Sequence, residues 1–173
     1  MTLKELTLSP RDRALYGKLY VSFYDIGIAQ RCVAFLKKKS WHGPTFRRCG
    51  SAQIQLISHT TTMIISYSRP FKPGRASNVA FSERLLRQYT ADHRRLHAKL
   101  LTLRDETEAH MDQKSYMIRP FDSIHFKSIN QLPYTYFSAE EIDRFLEMTA
   151  GLMGRISVRM EEIHAAARTS HGS

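Results

Sequence analysis

Residues 138–168 read SAEEIDRFLEMTAGLMGRISVRMEEIHAAAR, and this stretch decides the fold class. Ser138 and Glu141 have the spacing of a capping box, in which two side chains satisfy backbone N–H groups at a helix start. The residues that follow form a stripe with the three-and-four spacing of one buried helical face. The stripe consists of Ile142, Phe145, Leu146, Thr149, Met153, Ile156, Met160 and Ile163. The pattern predicts a helix over 139–168.

The same spacing recurs in earlier segments of the chain. Ser9 is a good N-cap and Pro10 suits a first helical position, so a helix is predicted over 9–39. Its stripe is Leu15, Leu19, Phe23, Ile26, Ala29, Val33 and Leu36. A further helix is predicted over 80–111, beginning near Asn78 or Ser82. Its seam is Leu85, Tyr89, His93, Leu96, Leu100 and Leu103.

The segment 45–67 leaves two interpretations open. Its stripe of Ala52, Leu56, His59 and Met63 has helical spacing. The β-branched residues between Thr60 and Tyr67 lower helix propensity, so a strand there is the competing interpretation. Helical neighbours favour a helix.

Two connections contain prolines. Pro70, Pro73 and Gly74 predict a loop between the second and third helices. From Tyr116 to Phe137 helical periodicity fades, which predicts an extended connection with a short turn. The sequence therefore predicts one all-α domain over 1–173, an antiparallel bundle of four main helices with a long irregular connection before the last helix.

Composition limits the possible functions. Lys and Arg total 26 against 16 acidic residues, giving a net charge of +10. Such a surface attracts polyanions: nucleic acid, anionic membrane or an acidic protein. Two cysteines, Cys32 and Cys49, are too few for a disulfide framework and predict free thiols in a reducing cytoplasm. No metal-ligand spacing, cofactor motif, signal peptide or transmembrane run is visible, so no metal, cofactor or membrane association is expected.

The segment that could carry chemistry is LRDETEAHMD, residues 103–112. It combines an Arg, several carboxylates and a His at the end of a predicted helix. Arg104 could hold a phosphate and His110 could transfer protons near neutral pH. The structural alternative pairs Arg104 with Glu108 four residues on, and leaves His110 as a cation at a helix C-terminus, with Asp112 solvated.

This segment and the helix layout resemble the HEPN family (higher eukaryotes and prokaryotes nucleotide-binding). Members carry Arg, a polar residue, a short spacer and His near the end of a bundle helix. The resemblance implies a homodimeric, metal-independent endoribonuclease, with Arg104, His110 and Asp105 as catalytic residues and Asp112 and Glu108 in support. It also implies a toxin or defence effector, with a protein inhibitor or partner.

Two features depart from the family pattern. Some members have a Tyr two residues after the His, which a partner nucleotidyltransferase modifies; this chain has Asp112 there, so that partner is not predicted. The spacer 106–108 is also acidic, and it would repel phosphate unless nearby cations outweigh it.

RNA binding is assigned to basic residues around the segment. They are Arg94, Arg95, Lys99, Arg69 and Lys72. Two other functions stay open: a non-catalytic helical module that binds RNA or a protein, and a structural helical domain.

Overall fold

The computed structural model describes residues 8–43, 50–72, 81–109, 117–120, 128–131 and 137–169. Four helices dominate: α1 (Pro10–Lys38), α2 (Gly50–Ser68), α3 (Ala91–Ala109) and α4 (Ala139–Thr169). Short 3₁₀ turns lie at Arg69–Phe71 and Glu83–Leu86, and strands β1 (Met117–Pro120) and β2 (Ser128–Gln131) precede α4. The prediction of an all-α bundle with four main helices is confirmed. Within the described ranges, no helix is long and apolar enough to cross a membrane.

Contacts between helix ends give the helix directions. Tyr16, near the start of α1, stacks on His164 near the end of α4, with ring centroids 4.7 Å apart. Lys37, at the end of α1, lies 2.7 Å from Asp143 at the start of α4. The two helices are therefore antiparallel.

The same test applies to the other neighbouring pairs. Phe35 stacks on His59 of α2 at 4.2 Å, while Asp25, earlier in α1, meets Arg69 just after α2. Helix α2 is thus antiparallel to α1. Helix α3 is antiparallel to α4, since Lys99, later in α3, pairs with Glu141 at the start of α4, and Asp92, earlier in α3, pairs with Arg144 further along α4.

The core lies where the four helices face one another. Tyr67 of α2 and Phe145 of α4 are fully buried, with ring centroids 5.3 Å apart. Met148 and Leu152, which the predicted stripe of α4 omits, are buried too. Other stripe positions are buried as predicted: Leu19, Ile26, Val33, Leu36, Ile142, Ile156 and Ile163.

Two helix starts follow the predicted capping chemistry. The Ser9 hydroxyl accepts a hydrogen bond from the Asp12 backbone N–H at 3.1 Å, with Pro10 in the first turn. At α4, the Ser138 hydroxyl accepts from the Glu141 N–H at 3.1 Å, and the Glu141 carboxylate accepts from the Ser138 N–H at 3.0 Å. Both caps satisfy N–H groups that a helix start leaves without partners.

The start predicted for the third helix is wrong. Helix α3 begins at Ala91, and the preceding segment forms the 3₁₀ turn Glu83–Leu86. Thr90 sets the boundary, because its hydroxyl accepts from the His93 N–H at 3.2 Å and its carbonyl from the Arg94 N–H at 3.0 Å. Threonine at an N-cap competes with helix continuation, and apolar periodicity does not reveal that competition. Positions 110 and 111 of the predicted helix lie outside the described residues.

The strand alternative for the end of the second segment is wrong, since Thr60 to Tyr67 are helical. Met63, Ile64 and Tyr67 are buried, so packing of one face outweighs the low helix propensity of the β-branched residues. The structure places the start of α2 at Gly50, and the predicted residues 45–49 lie outside the described part of the chain.

The long connection before α4 contains a strand pair that periodicity did not predict. Strands β1 and β2 pair antiparallel, with Met117 opposite Gln131 and Pro120 opposite Ser128. Both strands of this two-stranded sheet are edge strands, where the missing N–H donor of Pro120 is tolerated. Residues 110–116, 121–127 and 132–136 lie outside the described residues.

Candidate functional site

The predicted catalytic segment occupies the C-terminal end of α3. Arg104 is mostly buried, with 23% of its side chain exposed, and its Nη1 donates to the Asp105 carboxylate at 3.0 Å. Asp105 itself is exposed. His110 and Asp112 lie outside the described residues, and for Glu108 the structure describes the helical backbone alone. The structure thus brings together two of these five residues and leaves the Arg104–His110 and Arg104–Glu108 pairings as predictions.

A third predicted residue reaches this end of α3 from another part of the chain. Lys72, just after the first 3₁₀ turn, donates from Nζ to the Asp105 carboxylate at 2.7 Å. Hydrogen bonds from Lys72 and Arg104 hold the pKa of Asp105 below its usual range. Asp105 is therefore an ionised acceptor shared by two cations. In that state it can orient Arg104, but it is a weak general base near neutral pH.

Arg69, a predicted RNA-binding residue, forms an ion pair within the bundle. Its Nη1 donates to the carboxylate of Asp25 at 3.2 Å, and that carboxylate is 10% exposed. A nearly buried carboxylate needs such a partner, because an unpaired charge there is unfavourable. The sequence signal was an Asp next to Ile26 in the apolar stripe of α1, where a charge requires a partner from elsewhere. Arg69 therefore holds the first 3₁₀ turn against α1.

Two other predicted RNA-binding residues also form ion pairs within the bundle. Arg95 pairs with Asp92 in the first turn of α3. Lys99 donates to Glu141 at 2.6 Å and lies 4.8 Å from the centre of the Phe137 ring. Burial acts to raise the pKa of Glu141, but hydrogen bonds from Lys99 and the Ser138 backbone keep it lowered. Lys99 thus fastens α3 to the start of α4.

Arg94, the remaining predicted RNA-binding residue, lines a cleft at the N-terminal end of α3. The cleft has a volume of about 500 Å³. Its lining residues come from the second 3₁₀ turn, the residues flanking it, and α3: Ser82, Glu83, Arg84, Leu86, Arg87, Arg94 and His97. Among the described residues, the guanidinium groups of Arg84, Arg87 and Arg94 form no ion pair. Sequence reasoning missed this site because it treated residues 80–90 as helix.

A buried polar network lies beneath this cleft. The Tyr67 hydroxyl is 2.8 Å from His97 Nδ1 and 3.3 Å from the Tyr89 hydroxyl. Burial raises the pKa of Tyr67 well above its usual value, and burial raises the pKa of Tyr89 to about 12. Burial, with the charge of Arg94, lowers the pKa of His97. Near neutral pH the phenols are therefore protonated and the imidazole is neutral.

Arg155 of α4 holds the segment that carries Arg84 and Arg87. Its Nε donates to the carbonyl of Leu85 at 2.7 Å, and its Nη1 donates to the Gln88 side chain at 3.0 Å. Its guanidinium also lies 5.7 Å from the centre of the Tyr89 ring. These contacts fix an irregular segment against a long helix.

Other histidines and cysteines that the structure describes make packing or ion-pair contacts within the bundle. His59 stacks on Phe35, and the buried His93 lies 3.8 Å from the Glu147 carboxylate. Cys32 is a buried free thiol, as predicted, whereas Cys49 lies outside the described residues. In the part of the chain that the structure describes, no group of three or more His, Cys, Asp or Glu residues is arranged to hold a metal ion.

Comparison with known proteins adds no assignment. Neither the scan against protein-family models nor the searches of curated proteins and of solved structures gave a significant match.

Proposed function

We propose that this protein is a HEPN-like helical protein that cleaves RNA without a metal ion, with Arg104 and His110 as its catalytic residues. The observation that carries the proposal is the contact of Lys72 with Asp105, next to Arg104. Lys72 was predicted to bind RNA, and Arg104 and Asp105 were predicted to be catalytic. Lys72 and Asp105 are 33 positions apart in sequence, and they meet at the C-terminal end of α3. The resemblance of residues 103–112 to the HEPN family supplies the catalytic interpretation.

The residue chemistry suits cleavage through the ribose 2′-hydroxyl. His110 would remove the hydroxyl proton or protonate the leaving oxygen, since an imidazole titrates near neutral pH. Arg104, aligned by Asp105, would stabilise the negative charge that builds on the phosphate. The product would be a 2′,3′-cyclic phosphate.

A complete site would need a second copy of the chain, because the family resemblance implies that two segments face each other across a dimer cleft. Helix α1 has exposed apolar side chains available for a protein contact. Tyr20, Val21 and Tyr24 are 58%, 57% and 61% exposed. A cytoplasmic toxin or defence effector, held by a protein inhibitor, is the setting that the resemblance suggests.

A non-catalytic module is the second candidate, and one observation favours it. Asp105 engages both Lys72 and Arg104, so these cations are partly neutralised within the chain. The arginines that have no ion-pair partner among the described residues, Arg84, Arg87 and Arg94, lie at the other end of α3. A module that binds RNA or an acidic protein through those arginines would need no chemistry at Arg104.

The decisive experiment is an RNA cleavage assay in EDTA, comparing wild type with Arg104→Ala and His110→Ala. Arg159→Ala is the matched control, because Arg159 is an exposed arginine paired with Glu162 on α4. We expect cleavage to fall about 100-fold or more in both test variants and to stay unchanged in the control. Equal cleavage by all four folded proteins would refute the catalytic assignment, and RNA binding without any cleavage would favour the module.

A further inference from the structure

The cleft at the N-terminal end of α3 differs from other basic parts of the surface in the ion pairing of its arginines. Several cations elsewhere are paired with carboxylates, including Lys37, Lys72, Lys99, Arg95 and Arg159. Three arginines line the cleft, and among the described residues none of them has an acidic partner. Positive charges gathered around one cleft raise the local electrostatic potential, so these arginines point to an anionic ligand.

Contacts from α4 and a helix cap position the backbone of the segments that line this cleft. Arg155 binds the backbone of Leu85 and the side chain of Gln88, which fixes the turn that carries Arg84 and Arg87. The cap at Thr90 then sets the start of the helix that carries Arg94. The N-terminus of α3 adds partial positive charge at the same end. A backbone that is already held in place loses less entropy on ligand binding than a mobile loop.

His97 adds a hydrogen-bond donor of defined orientation. Since Tyr67 and Tyr89 stay protonated, both hydroxyls are satisfied when Tyr89 donates to Tyr67 and Tyr67 donates to His97 Nδ1. That arrangement leaves the imidazole proton on Nε2, as a neutral donor. With the hydroxyl of Ser82, the cleft then offers uncharged donors beside its guanidinium groups.

We propose that this cleft binds a phosphate monoester, the group found on a nucleoside 5′-monophosphate and on the 5′ end of an RNA strand. Three guanidinium groups and the carboxylate of Glu83 leave two positive charges, with His97 neutral. A phosphate monoester carries a charge of about −1.5 to −2 near neutral pH, whereas a backbone diester carries one. Guanidinium groups bind such oxygens through paired hydrogen bonds.

The size of the cleft fits a ligand larger than phosphate alone. Its volume of about 500 Å³ falls in the range of small-molecule sites, roughly 300–1,000 Å³. A sugar and base attached to the phosphate would fit. The cleft does not include Arg104, so binding to the cleft can be measured separately from the proposed cleavage.

Calorimetric titration with adenosine 5′-monophosphate and with adenosine tests the proposal. We expect the monophosphate to bind at least about 10-fold more tightly than adenosine, since each charged hydrogen bond contributes that order of affinity. Arg94→Ala and Arg84→Ala should each weaken monophosphate binding by about 10-fold or more. Arg159→Ala, outside the cleft, should leave it unchanged. Circular dichroism of each variant establishes that it is folded. Arg87→Gln, a further substitution in the cleft, should also weaken monophosphate binding.

A second comparison distinguishes the two sources of the group. Two 2′-O-methyl oligonucleotides of one sequence, with a 5′-phosphate or a 5′-hydroxyl, cannot be cleaved through the 2′-hydroxyl. Preference for the 5′-phosphate that disappears in Arg94→Ala would support the proposal and identify an RNA end as the ligand. Preference for adenosine 5′-monophosphate alone would support it and identify a free nucleotide. If neither phosphorylated probe binds more tightly than its unphosphorylated counterpart, the proposal is overturned.

Discussion

The two ends of α3 carry similar cations in different electrostatic states. At the C-terminal end, Arg104 and Lys72 share the carboxylate of Asp105. At the N-terminal end, about 15 Å away along the helix, Arg94 lies with Arg84 and Arg87 and has no acidic partner among the described residues. The net charge of a chain therefore does not locate its anion-binding surface. The placement of carboxylates decides which cations remain available.

The N-terminal end of α3 packs on a buried hydrogen-bonded network, and the largest effect that we expect is the loss of folding stability when Tyr67 in that network is replaced. The cleft rests on Tyr67, which is fully buried and contacts both Phe145 and His97. We expect Tyr67→Ala to lower the free energy of unfolding by about 3–5 kcal/mol, because it leaves a cavity in the core. Tyr67→Phe should lower it by about 1–2 kcal/mol, since it removes one buried hydroxyl from a hydrogen-bonded network.

Urea denaturation followed by circular dichroism measures both Tyr67 variants. Arg159→Ala, on the exposed face of α4, serves as the control and should unfold at nearly the wild-type urea concentration. If Tyr67→Phe were as stable as wild type, the hydroxyl network beneath the cleft would not contribute to folding.

A smaller effect should appear on mild acidification. Burial lowers the pKa of His97 in the folded protein, so the unfolded chain binds a proton more readily. Between the lowered folded pKa and the unfolded value near about 6.5, the free energy of unfolding therefore falls as pH falls. Asp105 and Glu141 have lowered pKa values and act in the same direction, but below about pH 4.5.

Urea denaturation at several pH values from neutrality down to about 5 isolates the contribution of His97. His97→Gln should show a shallower dependence on pH than wild type in this range. An unchanged dependence would mean that another group causes the loss of stability.

Helix patterning predicted the bundle because burial of one face repeats along each helix, as Ile26, Val33 and Ile156 show. It failed where a local interaction ended the repeat. Helix α3 begins at Ala91, eleven residues after the first predicted position, 80, because the Thr90 side chain caps the helix there. The pattern also did not predict strands β1 and β2, because pairing between short segments leaves little periodicity in either sequence.

The two candidate sites were predictable to different degrees, because the residues of one are adjacent in sequence and those of the other come from separate segments. Arg104 and Asp105 stood next to each other in sequence, so their contact was accessible to sequence reasoning. The cleft combines Arg84 and Arg87 from an irregular segment with Arg94 from a helix. The ion pair of Asp25 with Arg69 likewise joins distant segments. No spacing rule relates such residues before the tertiary structure is known.

The smallest effect that we expect comes from removing an acidic partner of the cations at the C-terminal end of α3, so that this end resembles the N-terminal end. Asp105→Asn removes the carboxylate that engages Lys72 and Arg104. We expect a few-fold gain in RNA affinity and a steeper salt dependence, because the net positive charge at this end of α3 rises by one. The urea midpoint should change little, since exposed ion pairs contribute little to stability. Fluorescence anisotropy over a range of salt concentrations measures both binding quantities.

The matched control is Asp143→Asn, which removes the carboxylate paired with the exposed Lys37 at the end of α1. If that substitution raised RNA affinity equally, the gain would reflect net charge rather than the end of α3. Cleavage separates the two functions proposed above. Should Asp105 align a catalytic Arg104, Asp105→Asn would bind RNA more tightly yet cleave it more slowly, because stronger attraction without alignment does not stabilise the transition state. A non-catalytic module would show the gain in binding alone.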